Sequence, residues 1–178
     1  MSNGLETSFR FNNQDNGLVI HAKENFVNNN WGALLLVDGA LDTKEGTIRA
    51  KITGKKKFFP DRPFLTSGEV GATLETDTKQ VTYYAAGKKT FDLWNGGLTS
   101  LDLKASAFYH VNTEKEGLIK KKAKVELCQK IFNFTEEQDL KLKLGYDLLE
   151  KTPYASLREN RWILHSNLKD KWTVEYEL

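Results

Sequence analysis

Cysteine is almost missing from this chain: Cys128 stands alone among 178 residues, so no internal disulfide forms and a disulfide-stapled secreted scaffold is excluded. A single thiol also argues for synthesis in a reducing compartment. Proline occurs three times, leaving most of the backbone free to enter a hydrogen-bonded ladder. Long apolar runs are absent too. The longest, around 33–37, is strand-sized, and no stretch approaches the eighteen or more residues of a membrane helix. The mean hydropathy of -0.53 does not exclude a membrane β-barrel, in which only alternate residues meet lipid. The first residues show neither a basic-then-apolar leader nor an arginine-rich amphipathic segment, from which we expect a protein made and kept without cleavage. His21, His110 and His165 share no ligand spacing, and no Ser-His-Asp or Cys-His grouping and no glycine-rich phosphate loop is present. The expectation is a protein without catalytic machinery, metal or resident cofactor. The net charge is only +2, so any basic character depends on where the charges sit.

What the chain does have is a period of two. In 139–148 (Asp-Leu-Lys-Leu-Lys-Leu-Gly-Tyr-Asp-Leu) every even position is apolar or aromatic and every odd one is charged or glycine. Such alternation puts the two sets on opposite faces of a strand, with Lys141 and Lys143 side by side. About ten residues is also what a tilted strand needs to cross a bilayer. The same alternation recurs in 6–11, 18–26, 47–57, 64–75, 81–92, 101–111, 119–131 and 172–178. The segment 31–41 is apolar on both faces until Asp38, so its facing is ambiguous. In 153–165 the alternation fails around Arg158-Glu159-Asn160, where a bulge is expected. Turn chemistry separates the runs: Asn and Asp before Gly17, Asn28 to Asn30, 42–46, the Pro60 and Pro63 pair, Asn95-Gly96-Gly97 and 114–117.

At least eleven short strands with short connections predict one all-β domain over 1–178, a closed antiparallel up-and-down barrel. Closure between first and last strands requires an even number, so about twelve are expected.

Periodicity alone does not decide which face meets water. A soluble lipocalin-like carrier turns its apolar face inward; a transmembrane barrel turns it to lipid. Aromatics near strand ends (Phe58, Phe59, Phe64, Phe91, Trp94, Phe132, Phe134, Tyr154 and Trp172) resemble interfacial girdles. The apolar faces mix Ala, Gly, Val and Leu, which suits a conforming lipid better than a core. The opposite face is charged all along, so the transmembrane reading is favoured. The polar face is then a lumen bearing Arg10, Lys23, Arg49, Lys51, Lys88, Lys104, Lys120, Lys122, Lys124, Lys130, Lys141, Lys143, Arg158 and Lys171. Against these fourteen stand eight acids: Asp38, Glu69, Glu75, Asp102, Glu126, Asp147, Glu175 and Glu177. The surplus of about six positive charges exceeds that of the whole chain, and in a narrow low-dielectric tube it concentrates anions. Lysines hold phosphate as point charges, whereas Arg10, Arg49 and Arg158 offer a fork.

Several blocks also carry a family likeness: Phe132-Asn133-Phe134, the run from Gln138 to Tyr146, Pro153-Tyr154, Arg158-Glu159-Asn160 with Trp162, and Trp172-Thr173-Val174-Glu175-Tyr176-Glu177-Leu178. With Glu6-Thr7-Ser8-Phe9-Arg10 and Ile20-His21-Ala22-Lys23-Glu24 near the start, they resemble the plastid outer envelope pore protein 21 family. The likeness is strong over the last fifty or so residues and loose over 31–117, apart from Lys88-Lys89-Thr90-Phe91. The resemblance implies an anion-selective, rectifying β-barrel of the plastid outer envelope. It implies passage of triose phosphates, 3-phosphoglycerate and inorganic phosphate, with ATP as a modulating luminal ligand and membrane lipid as surroundings. Departures imply weaker selectivity: lysines replace the family's Arg-x-Arg strand, and Glu175 stands where relatives often carry Arg.

Blander readings stand beside these. Lys55-Lys56-Lys57 and Lys120-Lys121-Lys122 suit strand mouths better than nucleic-acid patches. Trp162 suits an interface anchor better than a base-stacking platform, and the histidines suit luminal or interfacial filling. A soluble ligand-binding barrel and a non-conducting membrane barrel remain the alternatives, and the oligomeric state is open.

Overall fold

In the computed structural model the alternating runs become twelve antiparallel strands: β1 (Gly4–Asn12), β2 (Gly17–Asn28), β3 (Ala33–Asp42), β4 (Thr47–Phe58), β5 (Ser67–Glu75) and β6 (Val81–Trp94). They continue as β7 (Thr99–Val111), β8 (Leu118–Asn133), β9 (Gln138–Asp147), β10 (Thr152–Glu159), β11 (Trp162–Ser166) and β12 (Trp172–Glu177). The structure describes residues 4–14, 17–28, 33–59, 65–94, 98–111, 117–133 and 138–178. Outside them lie Trp31, the Pro60 to Phe64 segment, Asn29 and Asn30, Asn95-Gly96-Gly97, 114–116 and Phe134, together with the side chains of Trp94 and Phe132. Each strand pairs with its sequence neighbours, and β1 closes the cylinder on β12, with Arg10 opposite Glu175. The even number follows from one correction. The break around Arg158-Glu159-Asn160 is not a bulge: Glu159 pairs with Trp162 across a two-residue turn, and Asn160 takes a left-handed φ of 48°. Asparagine tolerates that region better than most residues, so one expected strand becomes β10 and β11.

Other turns are fixed by short polar side chains. Asp42 Oδ1 accepts the amides of Lys44 and Glu45, and Gly46 takes φ 65° before β4. Asn167 Oδ1 accepts the amides of Lys169, Asp170 and Lys171 between β11 and β12. Asp147 does the same for Leu149 and Glu150 after β9.

The register settles the facing. Among the described residues Cys128 is the only buried hydrophobic side chain, whereas Asp102, Glu126, Asp147, Thr53 and Thr73 are buried polar ones. Large apolar residues such as Leu35, Ile48, Ile52, Leu103, Ile131, Leu144 and Leu164 are exposed. The accessible surface of 12392 Å² compares with roughly 8,800 Å² for a compact soluble protein of this mass. A soluble carrier would bury those side chains, so the apolar face belongs against lipid and the barrel is transmembrane. In β3, Leu35, Val37, Gly39 and Leu41 face outward and Leu34, Leu36, Asp38 and Ala40 inward, resolving the ambiguous segment. Phe91 and Trp172 are exposed on the outer face, and Trp172 lies 5.7 Å from Phe11. Trp162 also faces outward, its ring 4.7 Å from that of Tyr176. Tyr154 is a correction: it points inward, donating its hydroxyl to Glu126 Oε1 at 2.7 Å, so it is no part of a girdle.

Candidate functional site

The inner face holds the basic residues that alternation assigned to it, and cross-strand register then pairs many of them with acids. Arg10 donates to Glu175 Oε2 at 2.8 Å, and Lys23 to Glu6 at 2.9 Å. Lys88 reaches Asp102 at 2.8 Å and Lys104 reaches Glu126 at 2.6 Å, both carboxylates being buried. Lys51–Glu75, Lys124–Asp147 and Arg49–Glu45 are longer contacts, and Arg158 meets Glu177 at 2.7 Å. Lys171 precedes β12 and sits in the Asn167 turn at the rim, outside the strand lumen. The histidines line the same face: His21 Nδ1 lies 3.6 Å from Asp38, and His110 Nδ1 shares a hydrogen bond with Thr82 Oγ1. A buried group that the sequence reading missed is Asp102, Glu126 and Cys128, whose ligand-type atoms lie within 4.8 Å of one another. Its carboxylates are already engaged by Lys88, Thr90, Lys104 and Tyr154, and the Cys128 thiol faces Asp102.

Register also changes the charge count. Glu6, Asp42, Asp92 and Asp139 fall on the inner parity near strand ends, as do Lys55 and Lys57, while Lys171 drops out. The inner surplus shrinks from about six to about three charges, so placement matters more than the total. Lys120, Lys122, Lys130, Lys141 and Lys143 form no ion pair with any described residue, and all five lie on β8 and β9. Lys130 stands directly opposite Lys141, and Lys143 opposite Cys128. Lys124 stands opposite Asp147, six positions along β8 from Lys130 and therefore about 20 Å away. The lysines of β8 and β9 thus divide into two groups at different depths. The three-lysine runs divide as well: Lys55, Lys57, Lys120 and Lys122 turn inward while Lys56 and Lys121 turn outward, so neither run presents a continuous basic patch.

Around Lys122 and Lys124 the wall is recessed. Lys57, Lys88, Lys104, Lys122 and Lys124 rim a cavity of about 390 Å³, with Glu69, Ala86 and Ser106 also in its lining. Beside it the rings of Tyr84 and Phe108 stack on the inner face. Lys57 and this aromatic pair were missed by the sequence reading. Strict parity carried from Lys51 through Lys57, and from Thr82 through Tyr84, would have found Lys57 and Tyr84.

A closed barrel with an apolar, lipid-facing exterior and a charged inner face is a transmembrane β-barrel pore. Comparison with known proteins narrows the class: residues 7–178 match the model of the chloroplast outer envelope pore protein OEP21 family, and the chain belongs to that family. It is 33% identical over 177 residues to outer envelope pore protein 21A of Arabidopsis thaliana, covering 98% of this chain and all of the relative. Against outer envelope pore protein 21 of Pisum sativum it is 29% identical over 184 residues, covering 98% of this chain and all of the relative. The Oryza sativa subsp. japonica protein of that name is 46% identical over 56 residues, 32% of this chain and 30% of the relative. The chain is therefore a β-barrel pore of the chloroplast outer envelope, a lipid-embedded route for small molecules, and the family's name points to a transport channel rather than an enzyme.

Proposed function

We propose that this pore is anion-selective and rectifying and passes phosphorylated metabolites, with triose phosphate, 3-phosphoglycerate and inorganic phosphate as its cargo and ATP as a modulating luminal ligand. The observation that carries this reading is the set of five lysines on β8 and β9 that form no ion pair with a described residue. Elsewhere on the inner face Arg10, Lys23, Lys51, Lys88, Lys104, Lys124 and Arg158 hold carboxylates in place, which supports the wall but contributes little net field. An anion entering the lumen meets one wall of ammonium groups outside any direct ion pair, each able to exchange hydration for a phosphate oxygen. Because the Debye length at physiological salt is about 8 Å, the attraction reaches across a lumen of this kind. Rectification follows from the unequal depth of the two lysine groups, which presents different barriers from the two mouths.

The test is a reversal potential in a planar bilayer under a potassium chloride gradient. A potential lying toward the chloride equilibrium value supports the reading, and one lying toward potassium overturns it. A barrel that inserts without conducting would instead favour the non-conducting alternative.

A further inference from the structure

Lipid conforms to any apolar profile, so the outer wall of a membrane barrel needs no particular shape. Across β2 to β5 that wall nevertheless carries a groove of about 570 Å³. Register sets its sides. Phe26, Leu35 and Gly54 form one outward row and Ala33, Lys56 and Val70 another, while the residues between the rows turn their side chains inward and leave main chain as the floor. Leu35 and Val70 are exposed at its edges. Gly54 contributes no side chain, and a Cβ there would meet no atom within 4 Å, so the groove is open at that point.

Lys56 stands out on this apolar wall. Lys55, also in the lining, turns inward to Glu69 at 3.7 Å, whereas Lys56 faces outward, is exposed and forms no ion pair with a described residue. It lies two residues from the end of β4, next to the exposed Phe58 on the outward face. At such a depth a strand leaves the hydrocarbon, aromatic rings mark the interface and a lysine stem carries its ammonium up to the headgroups.

We propose that this groove and Lys56 form a site for one anionic lipid, with an acyl chain along the groove and the headgroup phosphate on the Lys56 ammonium. The groove already lies in hydrocarbon, so the chain enters it without leaving the bilayer. Charge decides between lipids. A zwitterionic lipid fills the groove with the same chain, but its headgroup brings no net negative charge to an ammonium that has no acid of its own. The site is on the outer face and does not depend on the anion-pore reading of the lumen.

The full-length protein in detergent is given equimolar phosphatidylglycerol and phosphatidylcholine with identical acyl chains, and the first bound lipid is counted by native mass spectrometry. The wild type should favour phosphatidylglycerol by about fivefold, which is what one lysine near a headgroup layer supplies. In Lys56→Gln the preference should fall to about one. Gly54→Leu, which fills the groove and leaves Lys56 in place, should lower the amount of first lipid bound as well as the preference. Ala33→Leu makes the same comparison if Gly54→Leu yields no folded barrel. Lys121→Gln is the control, because Lys121 also turns outward but lies on β8 and does not line the groove, and it should keep the wild-type preference. No preference in the wild type, or an equal loss in Lys56→Gln and Lys121→Gln, overturns the site. So does a dimer that disappears in Gly54→Leu, which would give the groove to a second copy of the chain.

Discussion

At the scale of single residues, a luminal cation counts for selectivity only to the extent that no fixed acid sits beside it. Glu175 shows this. Its carboxylate accepts Arg10 Nε at 3.2 Å, Arg10 Nη2 at 2.8 Å and Ser8 Oγ at 2.9 Å, so Arg10 is spent on the β1–β12 seam. Glu175→Gln removes one negative charge and frees that guanidinium, and the reversal potential should move further toward the anion side. The cost is about 1 kcal/mol, because the pair is partly exposed and the hydrogen bonds to Gln persist in weaker form. A thermal melt in detergent reads that cost, and an unchanged reversal potential would show that Arg10 and Glu175 lie outside the conduction path. Glycine supplies a second residue-scale prediction. A Cβ at Gly145 would fall 2.3 Å from the Tyr154 ring, whose hydroxyl holds Glu126 and whose face lies 4.9 Å from Lys124. Gly145→Ala should therefore displace Tyr154 and lower stability by about 1–3 kcal/mol, as overpacking does. A smaller loss, read in the same melt, would mean that the ring moves aside freely.

Strands and turns were legible to different degrees. Alternation placed Lys141, Lys143, Lys120, Lys122 and Lys124 on one face because a strand's period is independent of its neighbours. It could not reveal which of them meet an acid, since that depends on register between strands: Lys104 and Glu126 are 22 residues apart and meet only because β7 and β8 align Lys104 with Lys124. Tyr154 was placed on the wrong face for a related reason, as Pro153 and Ala155 beside it gave no clear alternation. Asn160 was misread as a bulge because one broken alternation looks the same whether a residue is inserted or a turn begins. On β9 the legible part yields a prediction. Changing both Lys141 and Lys143 to Glu alters the wall by four charge units, and the reversal potential should move toward cations. The barrel should stay folded, because Lys141 now faces Lys130 as a like-charge pair and an acid there replaces repulsion with attraction. An unchanged reversal potential would mean that these two side chains do not face the permeating ions.

For the whole molecule, the proposed anion-pore reading implies that a polyphosphate is held by charge distributed over the inner wall. Triose phosphate and ATP then draw on the same luminal field, so ATP block of the current should be relieved by added triose phosphate. It should also weaken steeply with salt. Raising potassium chloride from about 0.1 M to about 1 M shortens the Debye length from about 10 Å to about 3 Å, less than the spacing between successive inward side chains. Each lysine then acts almost alone, and the half-blocking ATP concentration should rise at least about tenfold, by the counter-ion logic of multiply charged ligands. The two depths of lysine sharpen the expectation. Lys141 and Lys143 are not among the residues that line the Lys122 recess, so changing both to Ala does not remove the lysines there. It lowers the field that concentrates ATP in the lumen, and the block at low salt should weaken by about threefold while the high-salt block, where that field is already screened, barely changes. ATP titrations of the wild type and the double variant at both ionic strengths give the four numbers needed. A salt-independent block, or an equal loss in the double variant at both salts, would replace the distributed field with a local pocket that contains Lys141 and Lys143 themselves.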